Sequence, residues 1–310
     1  MLDRIYSLYD FDASRLTGRS QSARRPVSST GRTAIHYVDG ALDRGGNYGT
    51  GYDQFRADLS STTENDSINV NVVHISSPGG AVAGAADAGD AIASANKIKP
   101  TYAYIEDLGA SAAYLLASQC RQICAGRSAI VGGIGTLTML VDDSKHQESA
   151  GRKFHLISTG PLKGIGAPGQ SITAEQLNEV RRVVDSMNAQ FLSAVATGRR
   201  MSPQALESVA TGQVWIASDA KALGLIDCIG TFDQFLAGIN ARHPAQDMRQ
   251  TSRGYSVFEK EKSVGNQSSE FWGLVEQRIK AGQSRQKAIS AVAREEPTLH
   301  AAMIAEANHN

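Results

Sequence analysis

Cysteine is scarce in this 310-residue sequence. Cys120, Cys124 and Cys228 are too few and too unevenly spaced for a disulfide framework or for a zinc site built on paired C-x-x-C motifs. Free cysteine behaves as a small buried hydrophobe, so three thiols point to a reducing compartment. Long apolar runs are missing as well: no stretch reaches the roughly 18 residues that a membrane helix needs. The opening segment Met1-Leu-Asp-Arg-Ile-Tyr-Ser-Leu-Tyr-Asp10 has no basic portion followed by a continuous apolar one, so no secretory leader is read there. The expectation is a cytoplasmic chain without a membrane segment. An excess of either charge is also absent. Lys plus Arg equal Asp plus Glu at 31 each, which leaves no bulk field to draw nucleic acid or an anionic surface.

What is there suits an enzyme-sized core with appendages. Residues 14–32 are polar, basic and without periodicity, and residues 1–32 read as a flexible arm. From Thr33 the pattern becomes globular. Ala34–Val38 predicts a strand, Tyr52–Leu59 a helix, and Ile68, Val70, Val72, Val73 and Ile75 a strand buried on both faces. An alanine-rich helix at 81–96, strands at 101–106, 122–125 and 136–141, a helix near 143–150 and a strand at 154–158 follow. Leu177, Val180, Val184, Met187, Phe191 and Val195 then mark a long helix over 173–197, with Thr173 and Gln176 as its capping box. Ser202-Pro203 opens a shorter one. Val214–Ile216 predicts a strand and Ser218 a cap for a helix of 220–223 ended by Gly224; a strand of 225–227 and a helix to about Ile239 close the domain. Strand and helix in alternation predict an α/β fold with a largely parallel sheet over residues 33–240. Residues 241–268 read as a linker, and 269–310 as a small module of three short helices, the third over 297–304.

Chemistry gathers at three points. In Tyr102-Ala-Tyr-Ile-Glu-Asp-Leu-Gly-Ala-Ser111-Ala-Ala-Tyr114 an apolar strand breaks and restarts as a helix, leaving Ser111 at a corner where its hydroxyl and the first helical N–H groups can face one target. Upstream, Gly79 and Gly80 end a buried strand in Ser76-Ser-Pro-Gly-Gly80; with no side chains there, their N–H groups, joined by that of Ala112, can line an oxyanion hole. Downstream, Lys163 lies in the glycine-rich loop Gly160-Pro-Leu-Lys-Gly164, before a long helix able to wall it from water. A serine needs a base, and a desolvated lysine can serve. None of the seven histidines has a context that singles it out, although spacing alone leaves an encounter in space open. Each of these features taken alone has an ordinary reading as helix cap, turn or solvated loop lysine. Gly132-Gly-Ile-Gly135 does not fit a dinucleotide-binding fingerprint.

In combination, Ser-Pro-Gly-Gly, Gly-Ala-Ser-Ala-Ala-Tyr, Gly-Gly-Ile-Gly and a Gly-x-x-Lys loop before a capped helix resemble the signal peptide peptidase A family, peptidase family S49. The similarity covers about residues 34–240 and is strongest to its phage and prophage branch, which includes capsid assembly proteases. The resemblance implies a ClpP/crotonase-like spiral of ββα units and a serine endopeptidase with a Ser–Lys dyad. Ser111 falls on the nucleophile, Lys163 on the general base, and Gly79 and Gly80 on the oxyanion glycines. It further implies a protein substrate such as a phage capsid, scaffold or portal protein, a homo-oligomer whose subunits jointly enclose the sites, and no metal or cofactor. Many members carry serine where this chain has Gly133, a hydroxyl that helps orient the lysine; Thr136 or Thr138 would have to replace it. Two rivals follow from the same fold: a peptidase-derived capsid scaffold without activity, and a crotonase-type acyl-CoA enzyme.

Overall fold

The computed structural model describes residues 5–6, 25–244, 267–283, 285–296 and 298. They divide into two compact units at residues 245 and 246.

The first unit is built on one mixed sheet. Its central strands, β3 (Thr33–Asp39), β4 (Val70–Ser77), β5 (Thr101–Ala110) and β6 (Ile123–Ala125), are all parallel. β10 (Cys228–Ile229) extends the sheet beside β6, and β2 (Ser28–Thr30) closes the other edge antiparallel to β3. β5 is long enough to serve two neighbours. Ala103–Ile105 pairs with β6, while Leu108–Ala110 pairs with β7 (Ile130–Gly132), which continues antiparallel to β9 (Val214–Ile216). The strand therefore carries its C-terminal end into a second pairing direction, and Ser111 is the next residue.

Both faces of the sheet are covered, as the nearly continuous apolar run of β4 predicted. One face packs on α1 (Tyr52–Glu64), α2 (Ala85–Ile98), α3 (Ala112–Ser118) and α5 (Ala174–Arg199), with Phe55, Leu59, Ile92, Leu116 and Val195 in its core. The other packs Val70, Val72, Tyr102 and Tyr104 on Phe235 and Ile239 of α8 (Phe232–Arg242). The predicted capping boxes and starts have their physical basis in place. Thr173 accepts Gln176 N–H at 3.2 Å while Gln176 answers Thr173 N–H at 3.1 Å, and Ser202 caps α6 (Pro203–Val209), with Pro203 in its first turn. Among the described residues no helix is long and apolar enough to cross a membrane.

Several sequence expectations give way. Ser28–Thr30, assigned to the arm, forms the β2–β3 hairpin, and Ile5–Tyr6 pairs as β1 with β8 (Leu137–Thr138); edge backbone there finds partners that composition does not announce. Residues 154–158 form no strand. Their β-branched and aromatic content is right, but no neighbouring strand offers them a ladder. Ser218 lies inside α7 (Ala217–Ala222) rather than capping it, since the helix starts directly from β9. The expected strand of 225–227 begins instead at Cys228. Cys124 and Cys228 stand in register across the parallel β6–β10 pair, Cα atoms 4.5 Å apart, and are joined as a disulfide; only Cys120 is a free, buried thiol. A contact between strands 104 residues apart is invisible in spacing.

In the second unit, α9 (Gln267–Lys280) and α10 (Arg285–Glu295) bury Phe271, Val275, Ala288 and Val292 between them. The third predicted helix, over 297–304, lies outside the described residues except for Thr298, and so does most of the predicted linker.

Candidate active site

Because β3, β4 and β5 run parallel, their C-terminal ends open on one edge of the sheet, the usual ligand edge of such sheets. Three segments meet there: the loop after β3 that holds Leu42, the Pro78-Gly79-Gly80 turn after β4, and Ser111 after β5.

Ser111 is buried, 5% exposed, and takes φ 54° and ψ −126°. A non-glycine residue in that region is strained by about 1–3 kcal/mol and persists only where its surroundings enforce it. The enforcement is visible on both sides. Its N–H donates to Gly132 O at 2.8 Å, completing the β5–β7 pairing, and its carbonyl accepts Leu115 N–H at 2.9 Å, starting α3. The side chain makes no capping hydrogen bond, so the hydroxyl is not used to close its own helix. α3 itself is buried along its whole length and anchored by Tyr114, whose hydroxyl donates to Leu225 O at 2.9 Å.

Gly79 is packed against this corner. It takes φ +98°, and a β-carbon on it would come within 2.7 Å of both Ala110 O and Ser111 Cβ and 2.8 Å of the Ala112 nitrogen. Gly80 is equally constrained on its other side, where a β-carbon would fall 2.0 Å from Leu42 O. Leu42 N–H donates to Gly79 O at 2.8 Å and Ala81 N–H to Leu42 O at 2.7 Å, so the turn is laced to the β3–α1 loop. Gly79 N–H is engaged with Ser77 Oγ at 3.1 Å, whereas Gly80 and Ala112 N–H form no hydrogen bond among the described residues. Ser111, Gly79, Gly80 and Ala112 thus come together.

Lys163 is placed differently, exposed where Ser111 is buried. It is exposed on a loop, its N–H donating to Gly160 O at 3.1 Å, and shares no hydrogen bond with Ser111. The expected shielding by α5 is absent, because the stretch from 151 to 163 lies open, with Phe154, Leu156, Ile157 and Leu162 among its exposed apolar side chains. The loop is nonetheless tied back at its ends. Asp143, at the N-cap of α4 (Ser144–Ser149), accepts Gly169 N–H at 2.7 Å, and Asp142 accepts Ile172 N–H at 3.0 Å. These bonds hold both carboxyls below their ordinary range, those from Ser144 and Gln147 contributing most.

Gly133 sits at φ +58°, and a β-carbon there would lie 3.2 Å from Ser111 N and from Ala110 Cβ. A side chain at this position would therefore meet the backbone of Ser111 directly. Thr138 is in β8. Three histidines are committed elsewhere: His36 to Thr62 at 3.0 Å and Asn71 at 3.3 Å, His74 to Glu106 at 3.0 Å, His243 to Tyr102 at 2.9 Å. His146 and His155 are exposed, and His300 and His309 lie outside the described residues.

The sequence model of peptidase family S49 matches residues 93–244, which include both Ser111 and Lys163. Over this stretch the chain belongs to peptidase family S49. Family S49 relatives include Protease 4 of Salmonella typhi, 26% identical over 76% of this chain and 37% of that protein. The head-tail preconnector protein GP5 of Enterobacteria phage P21 is 30% identical over 56% of this chain and 34% of its own length. Capsid assembly protease C of Escherichia phage lambda is 28% identical over 57% and 40%. The chain spans well under two thirds of each of these proteins. Among solved structures, the ClpP protease catalytic domain of Plasmodium falciparum aligns over 64% of this chain and 85% of that one, at 14% identity and a TM-score of 0.39.

Gly79 and Gly80 were legible as a motif, but the loop that fixes them was not. Its only sequence signal is the density of glycine between Gly40 and Gly51, around the buried Leu42.

Proposed function

We propose that this chain is a serine endopeptidase working through Ser111 and Lys163. Ser111 Oγ attacks the scissile carbonyl while the Lys163 amine takes its proton and returns it to the leaving amine. The resulting acyl-serine ester is hydrolysed by water, and backbone N–H groups of the Gly79-Gly80 turn and Ala112 hold the oxyanion. The observation that carries this reading is the enforced backbone of Ser111, whose hydroxyl is left uncapped with Gly79 pressed against it. The commitment of His36, His74 and His243 to other partners supports lysine as base.

In the single chain Lys163 is exposed on an open apolar lobe and makes no hydrogen bond to Ser111. That arrangement supports a homo-oligomer in which burial of Phe154, Leu156, Ile157 and Leu162 desolvates the lobe and brings a lysine to each serine. The names of the phage P21 and lambda relatives support a protein of the phage head as substrate, processed in the host cytoplasm or the prohead. A fluorophosphonate probe tests the reading: labelling of the full chain that disappears in Ser111→Ala is expected, and an unlabelled wild-type protein overturns it in favour of a scaffold or an acyl-CoA enzyme. The scaffold reading draws on the exposure of Lys163, which makes no hydrogen bond to Ser111, and on Gly133. Co-expression with capsid and portal proteins separates it, since product lengths that are the same with wild type and Ser111→Ala favour a scaffold over a protease.

A further inference from the structure

Ser77 is fully buried, ends β4, and has no role in the chemistry proposed above. Its hydroxyl proton goes to Gly40 O at 2.7 Å, and its oxygen accepts Gly79 N–H at 3.1 Å. A hydroxyl has one proton to donate, so this pair of bonds fixes its orientation. The other end of Gly79 is held as well, by Leu42 N–H on its carbonyl at 2.8 Å. The residue that touches Ser111 is therefore pinned at both its donor and its acceptor.

Peptide geometry converts that pinning into a direction. In a trans peptide the carbonyl and the following N–H point opposite ways, and among the described residues every peptide bond is trans. β4 lies between β3 and β5, with Leu42 following β3 and Ser111 following β5. A Gly79 carbonyl turned toward Leu42 turns Gly80 N–H toward the β5 side, where Ser111 and the first N–H of α3 stand. The neighbouring donor, Gly79 N–H, is occupied by Ser77.

We propose that Ser77 is a positioning residue for the oxyanion hole. Its side chain ties the Pro78-Gly79 peptide to Gly40 of the β3–α1 loop while Leu42 holds the Gly79-Gly80 peptide, so that Gly80 and Ala112 supply the two donors and Gly79 supplies contact but no proton. This assignment rests on Ser111 being the nucleophile of a hydrolase.

The test uses the full chain, a fluorophosphonate probe, and the variants Ser77→Ala and Ser77→Cys, the latter close in shape with a weaker hydrogen-bonding group. In Ser77→Ala the maximal labelling rate of Ser111 falls about tenfold; in Ser77→Cys it falls less. The half-saturating probe concentration stays within about twofold and the midpoint of the pH–rate profile does not move, because neither probe binding nor the base has been altered. An undiminished rate in Ser77→Ala, or a loss confined to probe affinity, overturns the assignment. If melting shows Ser77→Ala to be unfolded, Ser77→Cys decides alone: a slowed rate supports the role and a wild-type rate rejects it. A wild type that takes no label on Ser111 rejects the hydrolase reading and this role together, whereas a labelled wild type with unslowed Ser77 variants rejects this role alone.

Discussion

Gly79 lies so close to Ser111 that a β-carbon on the glycine would stand 2.7 Å from the serine's own. The contact is between backbones that cannot rotate away, Gly79 being held by Ser77 and Leu42 and Ser111 by Gly132 and Leu115. Gly79→Ala therefore meets two obstacles: a left-handed φ of +98° and a collision with Ala110 O and Ala112 N. Loss of about 2–4 kcal/mol of stability is expected, with fluorophosphonate labelling of Ser111 reduced far below wild type. Melting temperature and labelling rate measured on one preparation check both; a variant as stable and reactive as wild type contradicts the packing.

The Lys163 side chain, exposed on its lobe, has no hydrogen-bond or ion-pair partner among the described residues to lose. Lys163→Met should leave the melting temperature of the chain within a degree or two while lowering Ser111 reactivity by roughly 10²–10⁴-fold, the usual contribution of a general base. Equal labelling of the variant and the parent would remove lysine from the mechanism.

His36 is buried beside Phe55, and burial lowers its pKa from 6.5 to about 4 against the opposing hydrogen bond with Asn71. The folded chain thus keeps it neutral where the unfolded chain protonates it. Stability from this group is complete above about 6.5 and is lost as pH falls from there toward 4, amounting to roughly 2 kcal/mol between pH 7 and pH 5. Urea unfolding at those two values measures the slope. His36→Phe should flatten it by about that amount, since Thr62 and Asn71 retain a 2.9 Å hydrogen bond to each other.

Arg199 ties α5 to the sheet. Its guanidinium bridges Asp227 Oδ1 at 2.8 Å and Gly224 O at 2.8 Å, and Asp227 in turn accepts Ile123 N–H at 2.7 Å. Burial pushes the Asp227 carboxyl up, but the hydrogen bonds from Arg199 and Ile123 outweigh it and leave the pKa lowered. Its stabilising share is therefore present above the ordinary carboxylate range and disappears as pH falls below it. Arg199→Ala strands a partly buried carboxylate and should cost about 2–4 kcal/mol by chemical denaturation at neutral pH. A change under about 0.5 kcal/mol, the level of an exposed pair, would show the bridge to be a surface feature.

The legible parts of this chain were those whose physics is local. Alternation of strand-like and helix-like segments set the α/β class, Thr173 and Gln176 marked the start of the longest helix, and Gly79, Gly80 and Ser111 stood out because strand ends with glycine or serine need particular backbone shapes. The parts that failed depend on what lies across space. Residues 154–158 had strand-like side chains but no neighbour to pair with, Ser28–Thr30 found an edge that composition could not announce, and Cys124 met Cys228 through sheet register.

By itself, the sequence determined that a serine begins a helix at the end of a buried strand, with two glycines ending another. Tertiary structure alone decided that these ends share one sheet edge, that Leu42 and Ser77 pin the glycine turn, and that Lys163 stands exposed on an open lobe. The reason is that backbone conformation is dictated by near neighbours, whereas the direction in which an N–H or an amine points is set by hydrogen bonds to residues tens of positions away.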